Sequence, residues 1–347
     1  MAGNERHTIV DVARAAGVHP STVSRVLNGR TDLALRAETR QRILDAVDRM
    51  SYRPSALARS LRLQRTLTLG MLVPDITNPL FPPIIKGAED AARARGYNLI
   101  LCNTEDAPER EATYLRVLRE RQVDGLLIAS SRMSDGTITA LRRDGFPFVL
   151  VNRSARGAEL TVTVDNRVAA AEAIAHLARL GHRRIGHIAG PQTTTTGLER
   201  AAGARDAIRR RGLDEDPALW VEAEAYSEPA GYRAARRLLA LQDPPTSIFG
   251  ANDLIALGAL RAARETGVRI PLDLSLVGFN DIAQAALLEP ALTTVRVPQY
   301  QMGEAAARML IARLEGDVIA RRRVVLEATL VVRASTAAPS VARRVVA

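Results

Sequence analysis

Ser21, Thr22, Ser24 and Arg25 lie in the run PSTVSRVL, whose apolar residues Val23, Val26 and Leu27 recur at helical spacing. Short hydroxyls on the other side of such a helix suit phosphate oxygens, and an arginine there suits a guanine edge in bidentate fashion. That is recognition chemistry for a nucleic acid. A second set of polar residues follows apolar runs further along: Asn78 and Phe81, Asn152 and Arg153, Asp165, Asn252 and Asp253, and Asn280 and Asp281. Arg200 follows the loop TTTTG, which offers it no obvious structural partner. Arginine, amides, carboxylates and an aromatic plate suit the hydroxyls and apolar face of a sugar. His176, His182 and His187 cluster in sequence, but no Ser or Cys nucleophile arrangement, phosphate loop or metal-ligand spacing accompanies them. They read as surface and core histidines, so no catalytic residue, metal or cofactor is expected.

The first set needs a scaffold, and the flanking residues supply one. Thr8 can cap a helix, with Asp11 three residues on complementing its dipole. Val12, Ala13 and Ala16 give that helix an apolar face, and Gly17 ends it. Pro20 suits the first position of the next helix, which Asn28-Gly29 terminates. A third helix is expected over about 38–50, with Ile43, Leu44, Val47 and Met50 on its apolar side. Two helices so joined can set the second in a major groove, although an ordinary helical hairpin with a polar face has the same pattern. Charge favours the groove. Residues 1–65 hold twelve arginines and six acidic residues, so +6 of the chain's +10 sits in its first fifth. Such density is the footprint of a polyanion-binding surface, although arginine is abundant throughout and Lys86 is the only lysine.

At 347 residues the chain is long enough for two or three domains, and 47% apolar residues provide their cores. The single cysteine, Cys102, excludes an internal disulfide framework and reads as a buried thiol within YNLILCN. TLTLGMLVP, YNLILCN, DGLLIAS and PFVLVN read as buried strands alternating with helices, and HRRIGHIAG, TSIFGAN and SLVGFND repeat the scheme. Short apolar strands between helices imply parallel sheets in doubly wound layers, here as two similar lobes with a cleft between them. The amino terminus has no apolar signal region and no stretch reaches transmembrane length, so a cytoplasmic protein without a membrane partner is expected. A secreted solute-binding protein would share the lobes but needs an export signal and no DNA module.

TIVDVARAAGV, TVSRVLNG, ETRQRILDAV, YRPSALARSLR and TLGMLVPDITNPLF together resemble the opening of LacI/GalR-family transcription regulators. The resemblance continues in order through VDGLLIAS, GHRRIGHIAGP, NDLIALGAL, SLVGFND and PALTTVRVP, nearly the whole chain. It implies a small all-α helix-turn-helix domain (1–53) and a hinge helix and linker (54–65). An α/β two-lobed periplasmic-binding-protein-like domain with parallel sheets follows (66–336), then a tail (337–347). The chain is expected to cross between lobes near 160, 291 and 321. That puts 66–160 and 292–320 in the first lobe, and 161–291 and 321–336 in the second. The tail, AAPSVARRVVA, carries no clear packing pattern and is expected to be mobile.

The implied function is a homodimeric repressor of a pseudo-palindromic double-stranded DNA operator, controlled by a small-molecule effector, a carbohydrate or its derivative. Pro20, Ser21 and Arg25 would read bases, Thr22 and Ser24 would touch phosphates, and Leu61 would wedge between central base pairs. Thr8, Asn28, Ser55, Ala58 and Arg59 complete the implied DNA-contacting set. PSALARSL could also be a plain linker with helical propensity. Effector contacts map onto Phe81, Asn152, Asp165, Arg200, Tyr226, Asn252 and Asn280. Duller readings stand beside these: lobe-interface packing for Phe81 and Tyr226, helix capping for Asn78 and Asn252, and chiefly capping for Asp253. The chain also departs from the family pattern. Asn280 stands where many members carry Asp, with the acid displaced to Asp281. His19-Pro20 replaces a serine-led helix start, and Arg36 stands where a serine cap is usual, after a longer loop.

Overall fold

The computed structural model describes residues 7–27, 35–52, 65–120, 123–133 and 136–340. The chain divides into two compact units, 1–66 and 67–347.

The first unit is built of helices α1 (Ile9–Ala16), α2 (Pro20–Leu27) and α3 (Ala37–Arg49). Thr8 and Asp11 form a reciprocal capping box at the start of α1, and Gly17 ends it in the left-handed region at φ 65°. Val12, Ala13 and Ala16 meet Val23 of α2 and Ile43 and Ala46 of α3 in a small closed core. Leu44, expected on the apolar side of α3, is instead exposed, because the buried stripe runs through Ile43, Ala46, Val47 and Met50 at i, i+3, i+4, i+7. The cap position of α3, Arg36, makes no side-chain capping bond.

The second unit contains two six-stranded sheets. The first has the order β11-β5-β4-β3-β1-β2, from β1 (Thr68–Val73), β2 (Asn98–Asn103), β3 (Gly125–Ile128), β4 (Phe148–Val151), β5 (Thr161–Val164) and β11 (Arg323–Leu326), all parallel. The second has the order β12-β10-β9-β8-β6-β7, from β6 (Ile185–Ala189), β7 (Trp220–Glu222), β8 (Ser247–Gly250), β9 (Ser275–Asn280), β10 (Thr293–Arg296) and β12 (Thr329–Val331). It is parallel except for β12, which runs antiparallel to β10 at the edge. Helices α4 (Phe81–Ala94), α5 (Pro108–Glu120), α6 (Gly136–Arg143) and α11 (Gln299–Glu315) belong with the first sheet. Helices α7 (Asn166–Arg179), α8 (Thr195–Arg210), α9 (Glu228–Leu239) and α10 (Asp253–Glu265) belong with the second.

The strand pairing moves the lobe crossings from where the sequence put them. β5 lies in the first sheet, so the first crossing falls at Asp165 rather than near 160. β10 lies in the second sheet and β11 in the first, so the other two fall at 297–298 and 327–328 rather than near 291 and 321. Each is displaced by about one short strand, because β5, β10 and β11 each complete a strand of the lobe the chain is about to leave. The carboxyl-terminal segment is also more ordered than expected up to residue 340. Ala337 donates its N–H to Ser275 Oγ at 3.0 Å, and its carbonyl accepts from His182 and Ser275. Thr336 bonds the His176 ring.

Helices α4 and α11 approach so closely that a Cβ on Gly303 would lie 1.8 Å from the Ile84 carbonyl oxygen, and one on Gly87 would lie 2.0 Å from that of Tyr300. Both obstacles are backbone, which cannot rotate away. Gly303→Ala should therefore cost about 2 kcal/mol or more, read as a lowered midpoint in thermal unfolding of the full chain. An unchanged midpoint would show that the two helices part freely.

Candidate functional site

On the helical unit, Ser21 and Arg25 are exposed on the side of α2 away from the core residue Val23, while Pro20, Thr22 and Ser24 are half-exposed. His19 supplies the helix start that a serine would otherwise give. Its Nδ1 accepts from the Ser21 N–H at 3.3 Å and pairs with the Ser21 hydroxyl at 2.8 Å. Thr8 is also exposed, with its hydroxyl engaged by Asp11 in the capping box. Asn28, Ser55, Ala58, Arg59 and Leu61 lie outside the described residues.

Between the lobes lies a cavity of about 340 Å³ at the carboxyl ends of the strands. It brings together Phe81, Asn152, Arg200, Tyr226, Asn252 and Asn280, six of the seven residues predicted for the effector site, along with Asn78 and Arg153. Arg200 is 2% exposed. Its Nε donates to Asn166 Oδ1 at 2.9 Å, its Nη1 to the Ala251 carbonyl at 2.7 Å, and its guanidinium stacks 3.7 Å from the Phe279 ring centroid. Desolvation lowers its pKa to about 10, so it remains a cation at neutral pH. Arg153, equally buried, donates to Asp106 at 2.6 Å and lies 5.8 Å from the Tyr226 ring centroid. Tyr226 shares its hydroxyl with Thr194 and Thr196.

The amides divide by role. Asn252 caps α10 through Oδ1, as the capping reading has it, whereas Asn78 closes a turn onto the N–H of Leu80, the cap position of α4, and is not itself the cap; both line the cavity. Asn280 differs. It is 2% exposed, at φ 116°, and its Oδ1 is buried without a hydrogen-bond partner among the described residues. A buried acceptor left unmade costs about 1–3 kcal/mol, which a donor from a bound molecule would recover.

Three acids stand elsewhere than the sequence suggested. Asp165 does not line this cavity: it caps α7 by accepting from the Val168 N–H. Asp253 is not a cap, that role belonging to Asn252. It is fully buried, accepts from Thr294 Oγ1 and the Ile282 N–H, and is pushed up to about pKa 6 by desolvation. Asp281 turns away from the cavity into bonds from Arg296 and Arg333, each 2.7 Å. Asp75, Glu105 and Asp106 line the cavity instead, on the loops after β1 and β2. The strand-end rule that located Asn78 covers TEDAPER after YNLILCN as well, so Glu105 and Asp106 were findable.

Residues 8–55 match the family of bacterial regulatory proteins, lacI family, and residues 174–336 match the periplasmic binding protein-like domain. The HTH-type transcriptional regulator RegA of Clostridium saccharobutylicum is 38% identical over 95% of this chain and 99% of its own. The chain belongs to the LacI family of bacterial regulatory proteins. A second LacI-family relative, the transcriptional repressor PurR of Mannheimia succiniciproducens, is 34% identical over 94% of this chain and 98% of its own. Among solved structures, the lac repressor dimer bound to operator and the anti-inducer ONPF superposes with a TM-score of 0.86 at 25% identity, covering 96% of this chain and all of that one. The transcriptional regulator CelR in complex with cellobiose gives a TM-score of 0.71 at 33% identity, covering 95% of this chain and all of that one. As a LacI-family member the chain is a DNA-binding transcriptional regulator. Among the described residues no helix is long and apolar enough to cross a membrane.

Asn280→Gly removes both the strained φ and the orphaned oxygen. Net of glycine's extra chain entropy, it should stabilise the ligand-free protein by about 1 kcal/mol, read as a raised unfolding midpoint. A lowered midpoint would mean that the amide is already satisfied in solution.

Proposed function

We propose that the chain is a cytoplasmic, homodimeric repressor whose affinity for a pseudo-palindromic operator is set by a sugar or sugar derivative held in the inter-lobe cavity. The observation that carries this reading is the unpartnered Oδ1 of Asn280, buried at the wall of a cavity also lined by amides, two guanidinium groups and two aromatic rings. Sugar hydroxyls donate to such an oxygen and accept from Arg200 and Asn152, while Phe81 and Tyr226 meet the apolar face. The volume is within the usual range for small-molecule sites. CelR, the relative of 33% identity, is a cellobiose complex.

On the DNA side, α2 enters the major groove with Pro20, Ser21 and Arg25 at base edges and Thr22 and Ser24 at phosphates. Thr8, Asn28, Ser55, Ala58 and Arg59 add backbone contacts, and Leu61 wedges into the central step. His19 fixes the Ser21 hydroxyl through its ring nitrogen, so base preference at the start of the helix depends on that imidazole as well. Effector binding changes the lobe angle and so the spacing of the two hinge segments, a coupling of typically ~1–3 kcal/mol.

The direct test is a thermal-shift screen of the full chain against neutral mono- and disaccharides, followed by a gel shift on its upstream region with each hit. A sugar that raises the midpoint of the wild type, fails to raise that of Asn280→Leu and alters the gel shift supports the reading. A sugar that acts equally on both proteins refutes the cavity assignment. In a base-selection experiment, Arg25→Ala should relax preference at one position per half-site and weaken binding by about 1–3 kcal/mol. An unchanged selection profile would remove Arg25 from the reading set.

A further inference from the structure

Strand β5 reads TVTV, alternating polar and apolar, whereas β3 and β4 read GLLI and FVLV. The alternation has a structural counterpart. Val162 and Val164 pack into the main core, while Thr161 and Thr163 face the opposite side, where the small cluster under α5 and α6 ends at Leu150 and Ala158. In register with them on the edge strand stand Arg323 and Val325, the latter 61% exposed. This uncovered end of the sheet forms one wall of a second cavity, of about 740 Å³. The loop through Arg156 roofs it from the same lobe, and Asp165, Arg167, Leu198 and Glu199 close it from the other. The two lobes are stitched beside it by Ser154 N–H to Thr195 Oγ1 at 2.9 Å and Met133 N–H to the Thr193 carbonyl at 3.1 Å.

The charges in this cavity are sorted by lobe. Arg156 and Arg323 come from the first lobe, and neither guanidinium has a hydrogen-bond or ion-pair partner among the described residues. Arg167 is held by Asp206. Asp165 and Glu199 come from the second lobe, and among the described residues each carboxylate makes one bond, to the Val168 N–H and to Asn166 Nδ2 respectively. Asn166, 1% exposed, also accepts from Arg200, so one buried amide joins the wall of this cavity to that of the first.

We propose that this second cavity binds an acidic sugar: a phosphate or carboxylate against Arg156 and Arg323, and polyol hydroxyls donating to Asp165 and Glu199. Guanidinium groups without partners favour an oxyanion, and carboxylates with free lone pairs favour hydroxyl donors. The threonine hydroxyls lie along the path between them. Because both lobes contribute, such a ligand distinguishes one lobe arrangement from another.

The test is calorimetric titration of the full chain with glucose 6-phosphate and with glucuronate, taking glucose and inorganic phosphate as controls. Binding of either acidic sugar is expected. The double variant Arg156→Gln/Arg323→Gln should lose it at least tenfold, and Asn280→Leu, in the first cavity, should keep it within twofold. Phosphate or carboxylate as the anionic source is read from which of the two acidic sugars binds. Three results overturn the proposal: no binding of either one, loss in Asn280→Leu with retention in the double variant, or inorganic phosphate binding as tightly as the sugar phosphate. The site does not rest on the first cavity holding an effector, so its failure leaves that reading standing.

Discussion

The burial of one charge, the guanidinium of Arg200, constrains the second unit more than any other interaction. At 2% exposure it has little access to bulk water, and a buried charge without compensation costs several kcal/mol. The compensation comes from three places: Asn166, the first helical residue after the first crossing, the Ala251 carbonyl at the end of β8, and the Phe279 ring on β9. Those partners fix the crossing, the β8 strand end and the β9 strand end relative to one another. Arg200 is therefore both a keystone of the second lobe and a wall of the cleft. Its charge is available to a bound molecule only because the fold already needs it there.

Strain gathers around the same cleft. Glu105, Asp106, Asn152 and Asn280 all line it with positive φ, and Asp281 follows at 55°. Non-glycine residues hold such conformations when the surroundings over-determine them, and functional sites are where this is commonly tolerated. Asn and Asp are the residue types that bear it best. The polar residues at these strand ends thus line the cleft and also let the chain turn sharply as it leaves each strand.

Much of this was legible in the sequence, for reasons that are local. Thr8, Gly17 and Asn252 act within a few residues of themselves, and spacing alone reveals them. Phe81, Asn152, Arg200 and Asn280 were reachable because ligands of open α/β sheets meet strand carboxyl ends. What was not legible depends on which sheet a strand joins. Asp165 follows a strand just as Asn152 does, but β5 sits beside the edge strand of its sheet and the chain then leaves the lobe, so the carboxylate caps a helix away from the first cavity. Asp281 looked like a displaced ligand. Its true partner Arg333 is 52 residues away in sequence, beyond two further crossings, and no local pattern encodes that pairing. The start of the tail was illegible for the same reason, because His182 and Ser275 hold Ala337 across 155 and 62 residues; 341–347 lie outside the described residues.

The arrangement also sets the scale of any switch. Allosteric coupling of ~1–3 kcal/mol is comparable to one or two net hydrogen bonds. The lobes are joined by three short chain segments and by a few side-chain and backbone contacts, Ser154 to Thr195 and Met133 to Thr193 among them. A molecule that satisfies Asn280 Oδ1 in one lobe arrangement and not in another supplies a differential of that size from a single buried acceptor. No long-range wire is needed between such a ligand and the lobe angle, since the residues it would touch come from strand ends of both lobes. An unsatisfied acceptor in the wall of a cavity that both lobes line is enough to give coupling of that magnitude.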